Sequence, residues 1–236
     1  MPEISIIIPT YNEAAYIRRT LESIKRQPYK DFEVILADSE SSDGTQRIAR
    51  NALKGIRIVS EKRRSIGAAC NKAARSARGR ILLFIDADTS ISKTLLKAYA
   101  SAFSKRGVIA ATGPLVPLEK ADEFTRLGYR LISVGLVKLL IRLGIPSIIG
   151  SNFAALRNAF IRSGGFNEDF VTYHDWDLSR RLGAIGRVAY AEHAVALTST
   201  RRIRKWGAAR YFAYHTVNAL RYAVFHRASS SYEPIR

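Results

Sequence analysis

Four short apolar runs, each ending in a polar turn that leads into a helical stretch, constrain this chain more than any other feature. Ile4 to Ile8 stops at Pro9, Phe32 to Ala37 at Asp38, Ile56 to Ser60 at Glu61, and Ile81 to Ile85 at Asp86-Ala87-Asp88. Between them, Glu13 to Arg26 places Ile17, Leu21 and Ile24 at helical spacing. Ser42-Asp43-Gly44 is turn chemistry before a helix through Leu53, and Ile66 to Ala77 is alanine-rich and helical. This rhythm predicts an α/β fold: a mostly parallel sheet with helices on both faces. Ligands of such sheets bind beyond the carboxyl ends of the strands. The first candidates for function are therefore Thr10, Asp38, Glu61 to Arg64, Asp86 and Asp88.

The second half is less regular. A helix over Thr94 to Phe103 precedes a strand near Val108 to Thr112. Asp122 to Leu143 is a long apolar and basic helical stretch. Ser147 to Arg157 follows, then a Gly164-Gly165 break, a short helix over Asp175 to Leu182, and strand and loop over Val188 to Thr198. Without internal repeats or a Pro/Ser-rich linker, the expectation is a single domain over 1–205. It carries an amphipathic helical insertion at 122–146 and an amphipathic, basic C-terminal segment at 206–236.

Thirty-eight Lys and Arg against twenty Asp and Glu give a net charge of +18, which calls for anionic partners. Cys70 is the single cysteine, so no intrachain disulfide forms and a reducing compartment is favoured. Met1-Pro2-Glu3 lacks the basic start and apolar run of a signal peptide. No stretch reaches the ~18–20 apolar residues that span a bilayer, so the expectation is a protein that is soluble or lies on a membrane. The basic residues track apolar stripes and no nucleic-acid-binding motif is present, which argues against nucleic acid as the partner. Pro9-Thr10-Tyr11-Asn12-Glu13 has no glycine-rich phosphate loop, which argues against a nucleotidyltransferase.

Asp86 and Asp88 point to opposite faces if they extend the strand, and converge if they sit in a loop beyond it. Converging carboxylates suit Mg²⁺ or Mn²⁺, which also accept diphosphate oxygens. A strand-end turn is the competing reading of the same residues. Their company weighs on the choice. Pro9-Thr10-Tyr11-Asn12-Glu13, Asp38, the Arg64-x-x-Gly67-x-x-x-Asn71 stretch, Asp86-Ala87-Asp88, Gly164-Gly165-Phe166-Asn167-Glu168 and Asp175 occur in order. In this order and spacing the chain resembles the inverting glycosyltransferases of family 2, with the GT-A fold, from Ile4 to about Arg204.

The resemblance implies roles. Pro9, Thr10, Tyr11 and Glu13 would hold the donor's base and ribose, and Asp38 would hydrogen-bond the base. Arg64 and Gly67 would sit near the nucleotide. Asp86 would bind the ribose or the metal's water shell, and Asp88 would ligate Mn²⁺ or Mg²⁺. Asp175 would be the general base, in a His174-Asp175 pair where the family usually has Glu-Asp; His174 is then a candidate for contact with the acceptor. Arg201 and Arg202 would close on the diphosphate, bidentately. Asn152 is either an acceptor-side residue or a turn residue. His193 is either a further metal ligand or structural. For Asp43 and Gly44, turn and helix capping is preferred. For Asp177 the preferred reading is an ion pair with Arg181, four residues on.

Arg126, Arg130, Lys138 and Arg142 recur at steps of four or eight among leucines and isoleucines. A four-residue step drifts by roughly 40° on an α-helix, so the basic stripe is expected to wind and the apolar surface to be broad. With Trp206, Tyr211, Phe212 and Tyr214 among further arginines, the composition is that of an in-plane membrane helix. A buried helix or a dimer interface is the competing reading. The expected place is the cytoplasmic face of the cell membrane, peripherally bound. The chain looks similar to polyprenyl-phosphate mannose synthases lacking their transmembrane extension. This implies a lipid-linked or glycolipid acceptor, with GDP-mannose the favoured donor and a UDP-sugar the alternative.

Overall fold

The computed structural model describes residues 1–170 and 174–225, with side chains to 218; residues 171–173 and 226–236, including part of the expected C-terminal segment, lie outside it. Strands β1 (Ile4–Thr10), β2 (Phe32–Asp38), β3 (Arg57–Ser60) and β4 (Ile81–Ile85) run parallel, with β1 between β2 and β4. They are joined by α1 (Ile17–Lys25), α2 (Thr45–Ala52) and α3 (Ile66–Ser76). Alternate residues of β1 serve opposite layers, as the pleat requires. Ile4, Ile6 and Ile8 join a core with Ile17, Leu21 and Ile24 of α1. Ile7 joins the other, with Ala69, Cys70 and Ala73 of α3. The alanines of α3 let it lie close against the sheet.

After β4 the chain makes β5 (Thr89–Ile91), α4 (Leu95–Phe103), β6 (Val108–Thr112) and β7 (Leu115–Pro117). Next come α5 (Glu123–Tyr129), a π-helical segment (Arg130–Leu136) and α6 (Val137–Arg142). β8 (Asn152–Leu156), α7 (Arg157–Arg162), α8 (His174–Gly183), β9 (Arg187–Tyr190) and β10 (Ala196–Thr198) follow. The chain closes with α9 (Arg201–Trp206) and α10 (Ala208–Phe225). The main sheet has the order β3-β2-β1-β4-β8-β6-β9, and β5-β10-β7 form a small second sheet. β8 is antiparallel to both neighbours, so the sheet is mixed on this side. The small sheet folds back beside the end of β4, bringing the residues after β10 to Asp88: the Ser199 N–H donates to the Asp88 carbonyl at 3.2 Å.

The long helical stretch departs from expectation in an instructive way. Thr125, Tyr129, Ser133 and Val137, at strict four-residue spacing, are all buried, so the row does not wind. Within the π segment the i→i+5 turns are wider, and a four-residue step falls short of a full turn. On α5 and α6 the same step overshoots. The two drifts oppose each other, and the row stays straight. Ser133 anchors it, donating to the carbonyls of Leu115 and Tyr129 at 2.7 and 2.8 Å. Tyr190 takes up the Ser133 carbonyl at 2.9 Å.

The C-terminal aromatics also differ from expectation. Tyr211 and Phe212 of α10 pack against the core rather than facing outward. Phe212 stands edge-on to Phe124 and Tyr129 and fills the space over Gly128, where a Cβ would collide with its ring. Trp206 meets Tyr214 edge-on. No helix among the described residues is long and apolar enough to cross a membrane.

Candidate active site

A cleft of about 710 Å³ opens beyond the carboxyl ends of β1 and β4. That volume suits a small-molecule ligand. Pro9, Thr10, Tyr11 and Glu13 line it from the turn after β1, and Arg64 from the turn before α3. Asp86 and Asp88 enter it from beyond β4, and Arg201 and Arg202 from the start of α9. The two aspartates lie past the last residue of β4, in the turn closed by the Thr89 N–H on the Asp86 carbonyl. Free of strand alternation, both carboxylates reach the same cleft.

The turns after β1 and β2 are laced together. Asn12 and Glu40 adopt left-handed backbone conformations, with φ of 55° and 58°. The Asn12 N–H donates to Ser41 Oγ at 2.9 Å, and the Ser42 N–H returns to Asn12 Oδ1 at 2.9 Å. Asp38 is the centre of this lacing. Its carboxylate accepts from Thr10 Oγ1, the Ser41 N–H and hydroxyl, and Gln46 Nε2 at 2.6–3.0 Å. It is fully buried and does not line the cleft. In this conformation Asp38 holds the loop that presents Thr10, and Ser39 takes its place at the cleft wall. Asp43 and Gly44 make the expected turn: Asp43 accepts the N–H groups of Thr45 and Ala14, and Gly44 has φ 89°.

The charged centre is Arg201. It donates to both Glu13 oxygens, at 2.8 and 2.7 Å, and its Nε lies 3.0 Å from Asp88 Oδ2. Its guanidinium also sits 4.5 Å from the Tyr16 ring centroid. Arg64 stands over Tyr11 at 5.0 Å, and Arg202 over Trp206 at 5.0 Å. Burial pushes the Asp86 carboxyl up to about 7, reinforced by the charges of Asp88 and Glu13 and offset in part by Arg201. Asp88 is also raised by burial, against the pull of Arg201. Crowded carboxylates of this kind form a field that a divalent cation relieves. Hard oxygen donors at Asp88 and Asp86, both lining the cleft, fit a divalent cation such as Mn²⁺ or Mg²⁺. Among the described residues no cluster of three or more His, Cys, Asp or Glu forms a self-sufficient cation cage.

Asp175 begins α8. Its Oδ2 accepts the Gly150 N–H and its Oδ1 the Trp176 N–H, both at 3.0 Å. These bonds fix its orientation; neither Asp175 nor His174 is among the residues that line the cleft, but the charge of Asp175 is felt at Asp86. His174 packs its ring edge-on against Phe166 at 5.2 Å. Burial lowers its pKa, with Asp175 pulling the other way.

Beside that for Asp38, two expectations are corrected by the structure. Asn152 is fully buried, donates to the carbonyls of Pro114 and Ala194 and accepts from Tyr99, so its amide has no reach to an acceptor. His193 is exposed in the turn between β9 and β10 and does not line the cleft, so it is not brought to the aspartates. Gly67 follows the cleft-lining Ser65 and Ile66 without lining the cleft itself; a Cβ there would sit 3.0 Å from the Asn167 carbonyl, so close packing against that turn also favours the glycine. Asp177 and Arg181 form the expected ion pair, with Nε to Oδ2 at 2.9 Å.

Several cleft residues escaped the sequence reading. Glu168 lines the cleft and is held by Arg63 at 2.6 Å and Asn71 at 2.9 Å. Tyr129 and Tyr211 come from distant helices. The four-residue row containing Tyr129 was a legible signal; Tyr211 carried none.

A mixed sheet, an aspartate pair beyond the end of β4 and arginines lining the same cleft give the chain the GT-A fold. Residues 5–164 match the model of glycosyl transferase family 2, and the chain belongs to that family. It is 28% identical over 233 residues to an O-antigen chain rhamnosyltransferase of Salmonella anatum, covering 92% of this chain and 74% of that one. It is 26% identical over 188 residues to a GalNAc(5)-diNAcBac-PP-undecaprenol beta-1,3-glucosyltransferase of Campylobacter jejuni, covering 72% of this chain and 56% of that one. Among solved structures, a mannosyltransferase from Pyrobaculum calidifontis in complex with GDP-Man and Mn²⁺ superposes with a TM-score of 0.69 at 23% identity. That match covers 92% of this chain and 64% of the Pyrobaculum chain.

Proposed function

We propose that this chain transfers a hexose from a nucleotide-sugar donor to a lipid-linked acceptor, by single displacement with inversion, and that the donor is GDP-mannose. The carrying observation is the charge arrangement at the cleft: Asp86, Asp88 and Glu13 gathered on one side, and Arg201 bridging the last two. The preference for GDP-mannose leans on the Pyrobaculum fold neighbour that holds GDP-Man, and the lipid-linked acceptor on the undecaprenol-linked substrate in the Campylobacter enzyme's name.

Asp88, with Asp86 beside it, would hold a divalent cation, which would neutralise charge on the leaving nucleoside diphosphate. Thr10 and Tyr11 flank the base and ribose, with Arg64 held over Tyr11. Arg201 and Arg202, which line the same cleft, would pair with the diphosphate oxygens, Arg201 by exchanging part of its bonding to Glu13 and Asp88. The acceptor oxygen attacks the anomeric carbon from the face opposite the diphosphate. As that C–O bond forms, the bond from the anomeric carbon to the diphosphate breaks. Asp175 takes the proton of an acceptor hydroxyl, its two N–H donors holding the carboxylate in one orientation.

The test is thermal stabilisation by nucleoside diphosphates, with and without Mn²⁺, on the parent and on Asp88→Ala. A ligand that binds the native state raises its stability. GDP is expected to stabilise the parent only with metal, and not the variant. Stabilisation by UDP alone names the other donor class; no response to any nucleotide overturns the reading.

A further inference from the structure

The helical run from α5 through the π segment to α6 is inside out. Its inward row is Thr125, Tyr129, Ser133 and Val137, rich in hydroxyls. Residues two positions further on lie roughly 200° around the helix, pointing away from the protein. There stand Leu127, Leu131 and Leu139, with 51%, 59% and 51% of their surface exposed, and Leu143, 66% exposed, follows at the end of α6. Phe124 and Leu136, exposed at 58% and 47%, widen the apolar face. One position on from Thr125 and Tyr129, at roughly 100°, Arg126, which pairs with the exposed Glu123, and Arg130 begin an exposed basic border that Arg142 continues beyond the row. An apolar face of this extent is not left to water without a partner.

From this arrangement we propose that the outer face of the α5–α6 run docks flat on an anionic lipid bilayer. The leucines enter the acyl boundary, and the arginine border pairs with lipid phosphates. Charge selects this occupant. A second copy of a chain carrying +18 would set two arginine borders against each other. An anionic lipid surface instead attracts each basic residue near it. The same run presents Tyr129 to the cleft wall, so the docked face and the cleft share one element. A link from this surface to a lipid-linked acceptor rests on the transferase reading above; the surface itself does not.

The test is co-sedimentation of the full chain, at ~150 mM salt, with vesicles of phosphatidylglycerol and phosphatidylethanolamine, and with vesicles of phosphatidylcholine alone. The parent is expected to pellet with the anionic vesicles and to remain largely in solution with phosphatidylcholine. L131Q/L139Q is expected to lower the vesicle partition coefficient by on the order of tenfold. Its melting temperature should be no lower than the parent's, which separates lost docking from lost fold. Leu131→Trp, free of any folding burden from added polarity, is expected to be quenched by brominated lipid. A parent that stays in solution with both vesicles overturns the proposal. So does an L131Q/L139Q variant that pellets like the parent, or a parent dimer in light scattering that this variant dissolves, which would make the face a self-interface. Nucleotide stabilisation measured on the same preparations is independent: vesicle binding without it sinks the donor reading and leaves the docking face standing, and the reverse result does the opposite.

Discussion

Arg201 and Glu13, 188 residues apart, meet through two parallel N–H···O bonds of 2.7 and 2.8 Å. The pair ties the start of α9 to the turn after β1, and the same guanidinium reaches Asp88. Both partners are largely buried, at 16% and 13% side-chain exposure. Arg201→Gln leaves two carboxylates without their cation. The expected loss is about 2–4 kcal/mol of unfolding free energy, read by urea denaturation of the metal-free protein. Arg201→Lys restores charge but not the fork, and is expected to recover less than half of it.

The raised carboxyl of Asp86 makes stability depend on pH. A group protonated more readily in the folded than in the unfolded state draws stability from its proton. In the metal-free protein that contribution is present below 3.8, falls as pH rises, and is gone above about 7. Asp86→Asn is expected to flatten this slope and to raise the melting temperature at pH 8. An unchanged slope across pH 4–7 would remove the burial argument.

Asp175→Asn keeps the shape of the side chain and removes its basicity. With a hydroxyl acceptor the turnover number is expected to fall about 10²–10⁴-fold while donor affinity holds. An acceptor that is already an anionic phosphate has no proton to lose, and a near-parental rate would identify it.

Gly165 combines a φ of 69° with close contact: a Cβ would lie 2.4 Å from Asn71 Oδ1. Asn71 Oδ1 also accepts the Phe166 N–H at 2.9 Å. Gly165→Ala is therefore expected to destabilise by about 2 kcal/mol or more in chemical denaturation.

The order β1 to β4, with the helices between them, was legible because those strands are continuous apolar runs ended by polar turns. Thr10, Arg64, Asp86 and Asp88 were legible for the same reason, as they sit where a parallel sheet presents its ligand; Glu13 was implied by the family resemblance. Asn152 misled: an Asn at the start of a strand reads the same whether its amide faces solvent or, as here, three buried partners. His193 misled because spacing along the chain says nothing about how far across a sheet a turn lies: it follows β9, which runs with β4 but forms the edge of the sheet. The leucine-and-arginine stretch was legible as amphipathic, but its straight buried row depended on Ser133 and Tyr190 anchoring a π-helical segment.

What the sequence by itself determined was local: period, turn chemistry and the residue types at strand ends. The tertiary structure decided what depends on contacts between distant segments. It brought Arg201 to Glu13 and Asp88, turned Asp38 inward and set Tyr211 in the cleft. It also placed hydroxyls inside and leucines outside on a single helical run. The physical reason is that side-chain periodicity shows which residues share a face, while the direction of that face is set by what packs against it.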